Sequence, residues 1–253
     1  MQKGGTPMLG IGKRIRIIGM RIMIAILTAG LFSFSLTPAQ AADKSEAQAI
    51  VDKSKGTLAN FLSDANYSWL HKHLGTARGV LIFPQILKAG FFIGGSGGTG
   101  ILLVRNETTG TWSEPAFYTL GSVTFGFQIG GEAAEVIMLA MNRKAIDSLL
   151  SSSVKLGGDA SVALGLVGGG AKGGVGVPDV TADFVSFAKS KGLYAGLNLE
   201  GSVLAVRDGL NDVYYGKIVK PSDIIVKKAV SNPGAQEFRT ALQQAAKKAH
   251  ARY

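Results

Sequence analysis

Four groups of residues have types and spacings that chemistry could use. Gly94-Gly95-Ser96-Gly97-Gly98 fits G-x-S-x-G, the nucleophile elbow, in which a serine on a strand-to-helix turn is activated by a later acid and a later histidine. The histidine downstream is His250, within a helical pattern near the C-terminus, so a serine hydrolase is not expected. Gly95-x-Gly97-x-x-Gly100 and Gly168-x-Gly170-x-x-Gly173 fit the dinucleotide fingerprint, which has meaning only between a parallel strand and a helix. The first leads into another apolar run and the second towards Pro178, and Lys172 lacks the Ser or Thr of a P-loop. Glu132 with Glu135, and Asp159 with Asp183, could pair as acid and base only across a cleft, and Glu132 and Glu135 read as turn or strand-edge charges. His71-x-His73 places two imidazoles on different sides of a helix with no third ligand nearby. The expectation is a protein that is not an enzyme, with no catalytic residue, metal or cofactor.

What remains is charge set against an apolar background. The 253 residues hold 27 Lys/Arg and 17 Asp/Glu, 46% hydrophobic residues, 35 glycines and no cysteine. That composition supports a sizeable core, excludes disulfides, thiolate chemistry and a lipidated cysteine, and gives no reason to expect a nucleic-acid partner. Part of the basicity belongs to an address. Lys13, Arg14, Arg16 and Arg21 precede the apolar run Ile22 to Leu36, and Ala39-Gln40-Ala41 offers a small-x-small cleavage site. The run falls short of the roughly 20 residues of a spanning helix. Residues 1–41 are therefore read as a signal peptide, and the chain as exported to the periplasm or beyond, there peripheral to a membrane. Five Lys/Arg and no Asp/Glu lie within residues 1–41, which leaves a net charge of +5 on the rest.

The remaining residues, 43–253, read as one α+β domain: a glycine-rich antiparallel sheet, sandwich or partial barrel, flanked by N- and C-terminal helices. Ala47, Ile50, Val51, Leu58, Phe61 and Leu62 recur at helical spacing, with Asp43 as cap and Gly56 as an interruption. This helix is expected to pack on its own domain. Tyr67–Leu74 and Gln236–Ala251 also read as helices, and Asn142 as the cap of a helix to Leu150. Strands are expected over Gly79–Phe83, stopped by Pro84, and over Phe91–Ile93 and Ile101–Arg105, with Gly94–Gly100 between them as a loop. Further strands are expected over Thr111–Tyr118, Val123–Ile129, Val154–Val167 and Val213–Val219, while Glu135–Met141 fits strand or helix. Phe184–Val206 alternates as a strand, a Ser-Lys-Gly turn and two strands hinged at Glu200-Gly201. Ala89–Arg105 and Lys191–Arg207 form a faint repeat. The strands are too short and too poor in aromatic residues for a transmembrane barrel.

The segments ARGVLIFPQILKAGFFIGGSGGTGILLVR, WSEPAFY, GFQIGGEAAEVIMLAMN, VKLGGDASVALG, FAKSKGLYAGLNLEGS and NDVYYG, in that order, resemble the SYLF domain from about Leu58 to Ala246. The resemblance implies a domain that binds anionic phospholipid, phosphoinositides in eukaryotic members, and actin in some of them. Actin is not expected as the partner of an exported chain. The cations that could meet such a membrane surface are Lys53, Lys55, Arg78, Lys88, Lys189 and Lys191; Lys88 stands beside Phe91 and Phe92. The alternative is a structural or adhesin-like envelope protein whose sheet meets a protein partner across an exposed apolar patch.

Overall fold

Asp43 opens the first helix as expected: its carboxylate accepts the Glu46 N–H at 2.7 Å. In the computed structural model, which describes residues 43–90, 93–125, 130–165, 181–190 and 199–251, this helix, α1, runs unbroken over Lys44–Leu62. Gly56 does not interrupt it, although a glycine inside a helix costs about 1 kcal/mol relative to alanine. Ala47, Val51, Leu58 and Phe61 are buried, so the helix packs on its own domain. A short 3₁₀ turn, Ala65–Tyr67, leads to α2, Ser68–His73.

The sheet has eight described strands: β1 Gly79–Gly90, β2 Ile93–Val104, β3 Ala116–Phe125, β4 Gly130–Ala140, β5 Ser153–Lys155, β6 Val162–Leu164, β7 Phe184–Ser190 and β8 Val203–Val206. Their order is β5-β8-β3-β2-β1-β4-β7-β6, antiparallel except for the β6–β7 pair. The sheet curls into a half-barrel. Helices α3 (Arg143–Leu149), α4 (Asp208–Tyr215), α5 (Pro221–Ile225) and α6 (Gln236–Ala251) complete the fold. The Asn142 side chain caps α3 by accepting the Ala145 N–H at 2.9 Å.

Two apolar cores lie on the two faces of the sheet. Val80, Ile82, Ile101, Leu103, Ile137 and Val185 point to α1, α2, α4 and α6. Leu81, Phe83, Leu102, Val136, Met138 and Phe184 point the other way, towards α3 and α5. Burial on both faces explains why Val80–Phe83 is apolar at every position rather than every second one. Each such side chain contributes on the order of 1.5–3 kcal/mol.

Several expectations need correction. Pro84 does not stop β1; it sits in a bulge, where the register shifts between Phe83 and Ile86 on the β4 side and between Ile82 and Leu87 on the β2 side. A bulge tolerates a residue without an N–H donor. Gly94–Gly100 is not a loop but part of β2. The bulged backbone crosses so close that a Cβ on Gly98 would lie 2.0 Å from the Gln85 carbonyl oxygen, and one on Gly100 2.2 Å from that of Ile82. Val213–Val219 is not a strand: α4 covers its first half and ends at Gly216 in the left-handed region (φ 69°). There the side chain of Asn211 accepts the Phe117 N–H at 2.9 Å and ties α4 to β3. Strands β7 and β8 are not neighbours; β7 pairs with β4 and β6, and β8 with β3 and β5. The expected second strand of that hairpin and the Gly168–Gly174 loop lie outside the described residues, while Gly201 turns at φ 80°. Strands β2 and β8, the two described ends of the faint repeat, flank β3 on either side.

Replacing Gly98 or Gly100 by alanine is expected to destabilise the protein by about 1–3 kcal/mol or more, because backbone atoms must move. Gly121→Ala, whose Cβ would meet nothing within 4 Å, is expected to be nearly neutral. Urea unfolding of the three variants checks this, and equal midpoints for all three would contradict it.

Candidate functional site

Beyond the Pro84 bulge the four long strands continue to a glycine-rich end whose two faces differ. Register places Ala133, Leu87, Gly97, Gly121 and Val203 in one row across β4, β1, β2, β3 and β8, with Gly95 and Val123 in the next row on the same face. Leu87 is 56% exposed, Val123 68% and Val203 40%. The glycines between them leave a flat apolar surface on the side of the sheet that α1 covers further down. The opposite face carries Lys88, Ser96 and Ser122 in one row, with the two serine hydroxyls 2.7 Å apart. The sequence reads Phe91-Phe92 between β1 and β2 and Gly126-Phe127 between β3 and β4, both outside the described residues.

The apolar face runs into a cleft of about 550 Å³ beneath α1. Gly56 and Thr57 form its helical wall, Pro84 and Ala133–Glu135 its sheet wall, and Lys53 and Lys189 supply its cations. Glu135 accepts hydrogen bonds from the Thr57 hydroxyl at 2.7 Å and the Asn60 amide at 3.1 Å, which fixes the helix over β4. Lys189 donates to Asp64 at 2.9 Å and lies 5.8 Å from the centre of the Tyr67 ring. The hydrogen bond from Lys189 holds the Asp64 carboxyl below the usual carboxylate range.

The sequence-derived cations do not form one patch. Lys53 and Lys189 share the cleft. Lys53 is exposed and has no carboxylate partner among the described residues. Lys55 pairs with Glu237 at 2.5 Å and joins α1 to α6. Lys88 lies on the polar face of the sheet end. Arg78 precedes β1 and pairs with Glu107, so it stands about 30 Å from Lys88 along the strand. It belongs to a second cleft, of about 580 Å³, where Arg239 is held by Glu114 and Arg143 by Asp147. Lys191 lies outside the described residues. Gly56, Leu87, Ala133, Val123 and Val203 escaped the sequence reading. The Leu87/Lys88 alternation was the available signal, but it gains meaning only where α1 stops short.

The groups first weighed for chemistry have structural partners. The buried Asp183 carboxylate accepts from Lys144 at 2.8 Å, Asn142 at 3.0 Å and the Ser161 N–H at 2.8 Å. Burial pushes its pKa up, but these hydrogen bonds outweigh burial and hold it at about 2. Asp159 accepts the Lys155 N–H at 2.8 Å. His71 bonds the Phe61 carbonyl oxygen at 2.8 Å, and His73 stacks on Trp69 at 3.7 Å. The Glu132 side chain lies outside the described residues. Among the described residues no cluster of His, Asp and Glu could hold a metal, and no helix is long and apolar enough to cross a membrane.

Residues 121–245 match the family described as “Ysc84: Las17-binding protein actin regulator”. This stretch is a domain of that family, also known as the SYLF domain. It is 36% identical over 166 residues to “SH3 domain-containing protein PJ696.02” of Schizosaccharomyces pombe, covering 64% of this chain and 37% of that one. It is 32% identical over 153 residues to human “SH3 domain-containing YSC84-like protein 1”, covering 60% and 44%, and 30% identical over 176 residues to “Protein YSC84” of Saccharomyces cerevisiae, covering 68% and 37%. The chain thus spans about two fifths of the length of these relatives. No solved structure matches it.

Because the folded pKa of Asp183 lies below its ordinary value of 3.8, its contacts stabilise the protein above about pH 4, and that contribution is lost as the pH falls through about 2. Asp183→Asn is expected to lose on the order of 2 kcal/mol at pH 7 and little at pH 2. Urea unfolding of both proteins at the two pH values checks this; an equal deficit at both would contradict it.

Proposed function

We propose that this protein binds the surface of anionic phospholipid membranes at a cell envelope, without catalysing a reaction, and that the glycine-rich sheet end is the part that docks. The observation that carries the reading is the amphipathic character of that end. Leu87, Val123 and Val203 expose an apolar face, Lys88 lies on its reverse, and Lys53 and Lys189 border it at the α1 cleft. Apolar side chains at such an end enter the interface while lysines meet headgroup phosphates, each adding about 1 kcal/mol near an anionic leaflet. The N-terminal address in residues 1–41 supports a site on the exported side.

A second reading is supported by the same apolar face, which suits a protein partner as well as a bilayer. The family description names Las17 binding and actin regulation, and a protein-binding role for this chain would be of that kind. An exported location argues against those particular partners and for an envelope protein in their place.

Vesicle sedimentation separates the readings. Vesicles containing phosphatidylglycerol or cardiolipin are expected to pellet the protein, neutral vesicles much less, and binding should weaken as ionic strength rises. Lys53→Gln combined with Lys88→Gln is expected to weaken anionic-vesicle binding by roughly thirtyfold, about 1 kcal/mol for each charge. Equal pelleting with neutral and anionic vesicles, or none with either at low salt, would refute the lipid reading in favour of a protein partner.

A further inference from the structure

Gly56 occupies an interior position of α1, where glycine is unfavourable, and packing does not require it there: a Cβ at this position would meet nothing within 4 Å. The space it leaves open belongs to the α1 cleft. The facing wall is also built from small or ring-closed residues, the Ala133 side chain, the strand backbone at Ala134 and Pro84, so the interior is carbon-lined without being filled. Its volume of about 550 Å³ lies within the roughly 300–1,000 Å³ typical of small-molecule sites. The polar groups are at the borders. Glu135 is turned onto Thr57 and Asn60, Lys189 is shared with Asp64, and Lys53 is the lining cation without a carboxylate partner among the described residues. Ala133 is the register partner of Leu87, which makes the cleft continuous with the exposed apolar face.

We infer that this cleft takes up one acyl chain of an anionic lipid, with Gly56 providing its depth and Lys53 holding the headgroup at its mouth. The inference rests on the membrane reading above and goes beyond it: the protein would hold an individual lipid rather than adhere to a charged surface alone. A chain entering between α1 and β4 would displace no core side chain and break no hydrogen bond, since Glu135 and its partners stay in place. The small residues on both walls leave room for a flexible methylene chain and none for a folded peptide segment.

The test titrates dihexanoyl phosphatidylglycerol, kept monomeric, into the full chain, with amide chemical shifts and calorimetry as readouts. Wild type is expected to bind, with the largest shifts at Gly56, Thr57, Ala133 and Ala134. Gly56→Leu and, from the opposite wall, Ala133→Leu are each expected to weaken binding of the monomeric lipid at least tenfold. Gly56→Ala should raise the melting temperature and leave most of the affinity. Val123→Asp, on the exposed face, should impair vesicle pelleting while leaving monomeric-lipid binding intact. Vesicle binding without any binding of the monomeric lipid, or equal affinity in wild type and both leucine variants, would overturn the acyl-chain site and leave the membrane reading standing. Failure of wild type to bind either vesicles or monomeric lipid would overturn both.

Discussion

The backbone of β1 passes over β2 at the Pro84 bulge with no room for a side chain beneath it. A Cβ at Gly98 or Gly100 would overlap the carbonyl oxygens of Gln85 and Ile82. The rest of the architecture depends on this crossing. It lets β1 carry an extra residue and a proline without losing its pairing to β2 and β4, and it divides each long strand into two parts. On one side of the bulge both faces are buried and every residue from Val80 to Phe83 is apolar. On the other side the strands emerge from under the helices, and the same pairing displays one apolar and one polar face.

Electrostatics follows from that division. Much of the charge on the helical side is engaged in ties between elements: Lys55 with Glu237 joins α1 to α6, Lys189 with Asp64 joins β7 to the end of α1, and Arg239 with Glu114 joins α6 to the start of β3. The exposed Lys55–Glu237 pair contributes about 0–1 kcal/mol and orients the helices more than it stabilises them, whereas Glu114 is buried beneath Arg239. Buried polar ties do more. Tyr67 donates to the Ala188 carbonyl oxygen at 2.9 Å, and Asp183 gathers β7, the cap of α3 and Ser161 around one carboxylate. The net positive charge is therefore distributed rather than gathered into one basic plate, and the lysines near the sheet end act as a border to an apolar surface.

The sequence disclosed what local chemistry determines. Asp43 and Asn142 were readable as caps because a short acceptor before an apolar helical stripe has little other use. The α6 stripe of Phe238, Leu242 and Ala249 declared its buried face. Tertiary packing hid the rest. Pro84 and the Gly94–Gly100 run carry the local signature of a strand end and a loop, yet close backbone approach turns both into strand. Val213–Val219 mixes apolar and polar residues in a way that suits either period, and Gly216 decides the matter by ending α4. Of the candidate cations, Lys53 and Lys189 do come together, across 136 residues of chain. Arg78 and Lys88 are close in sequence and far apart in space, because an extended strand lies between them. The apolar face left only the Leu87/Lys88 alternation as a trace, since Leu87 and Val123 look like ordinary core residues until the helices are seen to stop short.

The most direct measurement places a reporter on that face. In Val123→Trp, mixed with anionic vesicles carrying brominated acyl chains, the new indole should shift its emission to the blue and be quenched by the bromines, while a tryptophan at the exposed Ile218 position should do neither. Quenching at both positions, or at the Ile218 position alone, would contradict docking through the glycine-rich end of the sheet.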